Sequence, residues 1–159
     1  MTTEAINNKE QCLEKAQNLF QNARNYIDIL DYDLDKLIFE NEQVLANIKR
    51  VAIESRRARI RILLHRAERV IKEGHRIVAL LERMSSCVEL RVLSWEDIEQ
   101  VYKNILLVDV SSFYETTNYH PISGKVVYSD RKAALETEKW FENFWYRASR
   151  PLDILRLHI

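Results

Sequence analysis

A chain of 159 residues, 47% hydrophobic and 30% charged, is long enough to bury one core without disulfide or metal staples. No apolar run approaches the roughly 20 residues that span a bilayer, which excludes a membrane-crossing helix. Basic and acidic residues balance at 24 each, but they are spread unevenly. Residues 1–49 hold 5 bases and 9 acids, residues 50–83 hold 10 and 4, and residues 84–159 hold 9 and 11. A basic middle can attract phosphate-bearing partners, or it can be a solvated surface paired within the chain.

The first residues, MTTEAINNKEQ, carry acids and amides and no apolar stretch, so no secretory signal is expected and a cytoplasmic location is. Cys12 and Cys87 lie inside apolar periodic stretches without metal-ligand spacing and read as buried thiols; neither a metal nor a cofactor is expected. With only two glycines and two prolines, no linker-like stretch and no repeat, residues 1–159 read as one domain.

From Asn8 to Arg24, the residues Cys12, Ala16, Leu19, Phe20 and Ala23 recur at helical spacing. Tyr26 to Leu30 is short, β-branched and followed by the acid-rich DYDLD, which predicts a strand. A second helix starts near Glu42, with Val44, Leu45, Ile48, Val51 and Ala52 on its apolar face, and ends near Ser55 among arginines. Ala58 to His65 and Val88 to Leu93 alternate apolar and charged side chains as strands do. Between them lies a helical stretch broken at Gly74, whose second part spaces Ile77, Leu80, Leu81 and Met84 on one face. Asn104–Val110 and Phe113–Thr117 read as a hairpin. After Pro121 and Gly124, a short VVY run leads to Asp130, a good helix N-cap. The last helix runs to about Ser149, turns Leu135, Trp140, Phe141, Phe144, Trp145 and Ala148 toward the core with Tyr146 at the rim, and is closed by Pro151. Strands alternating with helices, then a hairpin and a final helix, predict an α/β fold with a mixed sheet flanked by helices.

This order of elements resembles a single half of the phospholipase D-like superfamily over nearly the whole chain. Members of that family carry His-x-Lys-x4-Asp on the first hairpin strand and, after about six residues, Gly-Ser-x-Asn on the second. Here YKNILLVD stands in that place. Counted back from Asp109, the family's Lys falls on Asn104 and its nucleophilic His on Tyr102, while Gly-Ser falls on Thr116 and Thr117. The family's Asn falls on Tyr119, one position from Asn118. The resemblance therefore implies the fold and, by the loss of His and Lys, an inactive or degenerate half. The family's His attacks phosphorus and its Lys neutralises phosphoryl oxygens, and asparagine supplies no such charge. A tyrosine nucleophile needs its pKa of about 10 depressed; only Lys103 is adjacent, and strand alternation points it the other way. Alternation also takes Asp109 off the face of Tyr102, so its simplest role is structural. A second resemblance, through ARIRILLH, GHRIVALLERM and the terminal LRL, is to uncharacterised bacterial domains found alone or appended to GNAT-type acetyltransferases.

His75 and Arg76 open a predicted helix, where free amides and the macrodipole favour a phosphate or carboxylate; alternatively Arg76 pairs with an acid such as Glu73 and His75 packs. Arg61 and Arg91 lie on neighbouring predicted strands, away from the Ile and Val face, and Asp28 alternates with Ile27 and Ile29. These form a polar layer that is either cross-strand pairing or a ligand groove or subunit interface. Arg61, His75, Arg76 and Arg91 are thus the candidate anion ligands. Asp31, Asp33 and Asp35 resemble a metal cluster only loosely and read as a solvated acidic turn. His65, His120 and His158 suggest no triad.

The leading expectation is a catalytically inactive binding or interaction module for a phosphate-bearing ligand or a protein partner. A homodimer and an acetyltransferase-type partner are the protein options. The alternatives are a nucleic-acid binder using segment 50–83 and a divergent phosphoesterase using Tyr102.

Overall fold

The computed structural model describes residues 2–151. The elements, in chain order, are β1 (Thr2–Ile6), α1 (Lys9–Gln21), β2 (Tyr26–Asp31), α2 (Lys36–Phe39), α3 (Glu42–Glu54), β3 (Arg59–Leu64), α4 (Glu68–Lys72), α5 (Ile77–Arg83) and β4 (Val88–Val92). A 3-10 turn at Ile98–Gln100 precedes β5 (Lys103–Val108), β6 (Ser112–Thr117), β7 (Gly124–Tyr128) and α6 (Arg131–Trp145). The longer helices start where a short polar side chain can take a free backbone N–H: the side-chain oxygens of Asn8, Asn41 and Asp130 accept from Gln11, Val44 and Ala133.

All strands form one sheet in the order β1-β7-β6-β5-β2-β3-β4. β2, β3 and β4 are parallel, and the remaining neighbours are antiparallel. One face carries Ile27, Ile29, Ile60, Ile62 and Leu106 against the apolar sides of α1 to α5. The other carries Leu30, Leu63, Ile105, Leu107 and Phe113 against Phe141, Phe144 and Trp145 of α6. The predicted α/β fold with a mixed sheet between helices is the observed one.

Four details differ from the sequence reading. β1 is a strand that its polar TTEAI does not signal; it pairs antiparallel with β7 as an edge, and Ile6 is its buried residue. α6 ends at Trp145, after which Ser149 exchanges backbone hydrogen bonds with Val92 of β4. Leu135, expected in the core, is 39% exposed on the outer side of α6, because the buried stripe of that helix runs through Ala134 and Phe141 instead. Cys12 is buried, but Cys87 is only half-buried. Gly74 does break the helical stretch, in a left-handed turn at φ 63°. The terminal LRL and His158 lie outside the described residues.

The carboxyl ends of β2 and β3 lie at one edge of the sheet, where Asp31 pairs with Leu64. Because β5 runs against β2, its first residues reach the same edge, and so do the last residues of β6, where Lys103 pairs with Thr117. The residues that the sequence resemblance sets against the family's motif therefore gather there, apart from Asp109.

Candidate functional site at the carboxyl edge of the sheet

Tyr102 stands just before β5 and is 67% exposed. Its hydroxyl has no hydrogen-bond partner among the described residues, so nothing there is placed to take its proton. Lys103 turns to the α6 face, where its Nζ meets Glu115 at 2.9 Å and lies over the Trp140 ring. Asn104 uses its side-chain oxygen to accept the Tyr32 N–H at 3.1 Å, which fixes the chain leaving β2. Thr116 is buried. The Thr117 hydroxyl donates to the Tyr119 carbonyl at 2.9 Å and accepts from the Ser123 N–H at 3.2 Å, while the Asn118 amide donates to the Val101 carbonyl. Positions that carry phosphoryl chemistry in the resembled motif here build turns.

Asp109 lies at the opposite end of β5. Its carboxylate accepts the backbone N–H groups of Arg24, Asn25 and Tyr26 at 2.8, 2.8 and 2.9 Å. It sits in the left-handed region at φ 54°, where an aspartate is tolerated better than most residues. Asp109 thus clamps the β5–β6 turn to the start of β2.

Two ionisable groups at the carboxyl edge, read from sequence as part of a solvated turn and as a scattered histidine, are buried. His65 is 5% exposed and stacked on Tyr32 with ring centroids 5.1 Å apart. Its Nε2 lies 3.0 Å from the Val101 carbonyl, so Nε2 carries the proton, and Nδ1 is left buried without a partner. Burial lowers its pKa, only partly opposed by the carbonyls of Val101 and Ile98. Asp31 is also buried, and burial pushes its carboxyl up to about 7. The acidic turn is therefore not simply solvated. Asp31 accepts the N–H groups of Leu34 and Asp35, Asp33 pairs with Arg69, and Asp35 caps α2 and pairs with Lys9. Neither residue has a sequence signal beyond its position at the end of a strand.

The structure does not bring the four candidate anion ligands together. Arg61 and Arg91 lie beneath α6, whereas His75 and Arg76 belong to the opposite layer. Arg61 donates from Nε and Nη2 to the two oxygens of Asp28, at 2.6 and 3.1 Å, and from Nη1 to Glu142 at 2.9 Å. Burial opposes its charge, but Asp28 and Glu142 outweigh that and raise its pKa. Arg91 bonds Glu89 and the Trp145 carbonyl, with its guanidinium over the Trp145 ring. His75 places Nε2 3.1 Å from the Leu34 carbonyl and accepts the Ile77 N–H at Nδ1, so it is neutral and holds the turn before α5; burial lowers its pKa. The Arg76 N–H, one of the two groups offered to an anion from outside, already donates to the Glu40 carboxylate at 2.9 Å. The Arg76 side chain lies 4.0 Å from Glu42, not beside Glu73, which pairs with Lys36 and Arg69.

Residues 8–157 match the family described as a domain of unknown function, DUF7931. The chain belongs to that family. No curated protein matches the sequence. Among solved structures, the fold is similar to that of TrmBL2, an archaeal chromatin protein described as having a novel mode of DNA binding, with a TM-score of 0.70 at 15% identity. That alignment covers 94% of this chain and 54% of TrmBL2, so this DUF7931 chain spans about half of that protein. It is similar to the phospholipase D family member Nuc from Salmonella typhimurium, with a TM-score of 0.62 at 13% identity, covering 94% of this chain and 98% of Nuc. NucT from Helicobacter pylori gives a TM-score of 0.62 at 9% identity, with the same coverage. At these identities the likeness establishes a phospholipase D-like fold and nothing about activity.

Proposed function

We propose that this DUF7931 chain is a non-catalytic binding module on a phospholipase D-like scaffold, and that its ligand carries phosphate. One observation carries the first half of the reading. At the sheet edge where the resembled family places His and Lys, this chain presents an exposed Tyr102 without a base and an Asn104 engaged with the Tyr32 amide. Transfer of a phosphoryl group needs an activated nucleophile and a cation near the developing charge, and that pair of positions offers neither.

The second half draws on the likeness to a DNA-binding chromatin protein and on the basic segment 50–83. Within that segment Arg59, Arg61, Arg69 and Arg76 have carboxylate neighbours in the chain itself. Arg56, Arg57 and Arg83 are exposed and have no ion-pair partner among the described residues. The segment thus divides into cations used by the fold and cations left for a partner.

The reading is tested by assaying wild type and Tyr102→Phe on a chromogenic phosphodiester and on labelled DNA. Turnover at the no-protein rate is the expected result. Turnover by wild type that is lost in Tyr102→Phe would establish a tyrosine phosphoesterase instead.

A further inference from the structure

We infer that the amino-terminal edge of the parallel strands is a nucleic-acid backbone-binding rim, formed by Arg24, Arg56, Arg57, Arg83, Arg131 and Lys132. This inference rests on the phosphate-ligand reading above and adds the location and class of the ligand.

The backbone bonding fixes the placement. Arg24 immediately precedes β2 and is held there by Asp109. Arg56 and Arg57 enter β3, whose Arg59 N–H bonds the Asn25 carbonyl beside Arg24. Arg83 ends α5, just ahead of β4. Arg131 and Lys132 open α6 directly after Asp130, whose N–H bonds Ser111 in the β5–β6 turn at this same edge. In the strand order β6-β5-β2-β3-β4 these cations form a row. At about 4.8 Å per strand the row spans roughly 19 Å, or five to six base steps of a duplex at about 3.4 Å each.

All these side chains are exposed and have no ion-pair partner among the described residues. The acids nearest them are largely committed elsewhere: Asp109 to three backbone N–H groups, Asp130 to capping α6, and Glu138 to Arg59. Exposed carboxylates also lie close in sequence at Glu54, Glu82 and Glu136. At the carboxyl edge, by contrast, Asp33, Asp35 and Glu73 sit among the cations and pair with them. A chain of zero net charge therefore has one edge with unspent positive charge.

Arginine predominates in the row, and its planar fork matches the paired oxygens of a phosphodiester. A surface built to enter a lipid headgroup layer would set large aromatic side chains beside its cations, yet Tyr32, Trp95, Tyr102 and Tyr119 are exposed away from this rim, and Tyr146, which borders it beside Ser85 and Ser86, is tied by its hydroxyl to Glu142. These features favour nucleic acid over a membrane.

The test uses the full chain and a fluorescein-labelled duplex of 20 base pairs, read by anisotropy across a salt series. Arg56→Glu/Arg57→Glu is the rim variant, and Arg66→Glu, beyond the carboxyl end of β3, is the control. Wild type is expected to bind with strong salt dependence. The rim variant should bind at least about tenfold more weakly, with its log–log salt slope reduced by about two, and the control should match wild type. Unchanged thermal unfolding of the rim variant excludes misfolding as the cause. No binding at 50 mM salt, equal loss in the control, or retention only by anionic vesicles would each overturn the proposal. Phosphodiester turnover by wild type with the rim dependence intact would overturn the non-catalytic reading and leave the rim standing.

Discussion

Asp28 and Arg61 face each other across β2 and β3 as register partners, and the guanidinium grips the carboxylate with two hydrogen bonds at 2.6 and 3.1 Å. Both residues are buried, at 1% and 5% exposure, beneath Phe141 of α6. Removing one partner of such a pair strands the other charge, which is the costly step. Asp28→Ala is expected to lower stability by about 3 kcal/mol in urea unfolding. The double variant Asp28→Leu/Arg61→Met should recover most of that loss, since it leaves no buried arginine unpaired beneath α6.

Asp109 gives a different kind of test, because its work is to accept amide protons. Asp109→Ala leaves the N–H groups of Arg24, Asn25 and Tyr26 without their acceptor and places alanine at positive φ. A loss on the order of 2–4 kcal/mol is expected. Asp109→Asn keeps an acceptor and tolerates the left-handed backbone, so it should cost less than half as much in the same denaturation experiment.

The Asp31 carboxyl, raised from 3.8 to about 7 chiefly by burial, sets a pH dependence of definite sign. Between those values the folded chain holds a proton that the unfolded chain has released. This residue's contribution to stability therefore falls as pH rises from about 4 to about 7 and is level above that. Asp31→Asn retains an oxygen acceptor for Leu34 and Asp35 and cannot ionise. Relative to wild type, it should gain on the order of 2–4 kcal/mol between pH 4 and pH 8. Paired urea titrations at the two pH values provide the measurement, and the subtraction cancels the opposing titration of His65 and His75.

Gly124 opens β7 directly against β6. A methyl group there would collide with the Glu115 carbonyl oxygen and stand 2.7 Å from the Thr116 Cα, both backbone atoms that cannot turn aside. Gly124→Ala is expected to cost at least about 2 kcal/mol. Hydrogen exchange should show the loss first in the β6–β7 ladder.

These residues were not equally legible in the sequence. Alternation along ARIRILLH and YIDIL was enough to put Arg61 and Asp28 on one face and to take Asp109 away from Tyr102. His75 and Arg76 looked like an anion site because the carboxylate that occupies the Arg76 amide is Glu40, beyond the end of α2 and 36 residues away. No local pattern reports a partner at that distance. His65 and Asp31 close period-two strands, where sequence leaves open whether the last side chain meets solvent or is roofed by a later loop. The cationic rim was hidden for a related reason: Arg24 and Arg131 are more than a hundred residues apart and meet only through the sheet order.

The first strand, five residues whose first four are exposed, is the outermost member of the ladder beside β7. A chain cut before Asn7 would keep every helix and both cores apart from Ile6, yet it would lay bare the hydrogen-bonding flank of GKVVY. An unpaired flank of that composition invites other copies to add to it. Removal of β1 is therefore expected to promote self-association through β7, and the amino-terminal strand should be kept intact when the chain is tagged or trimmed.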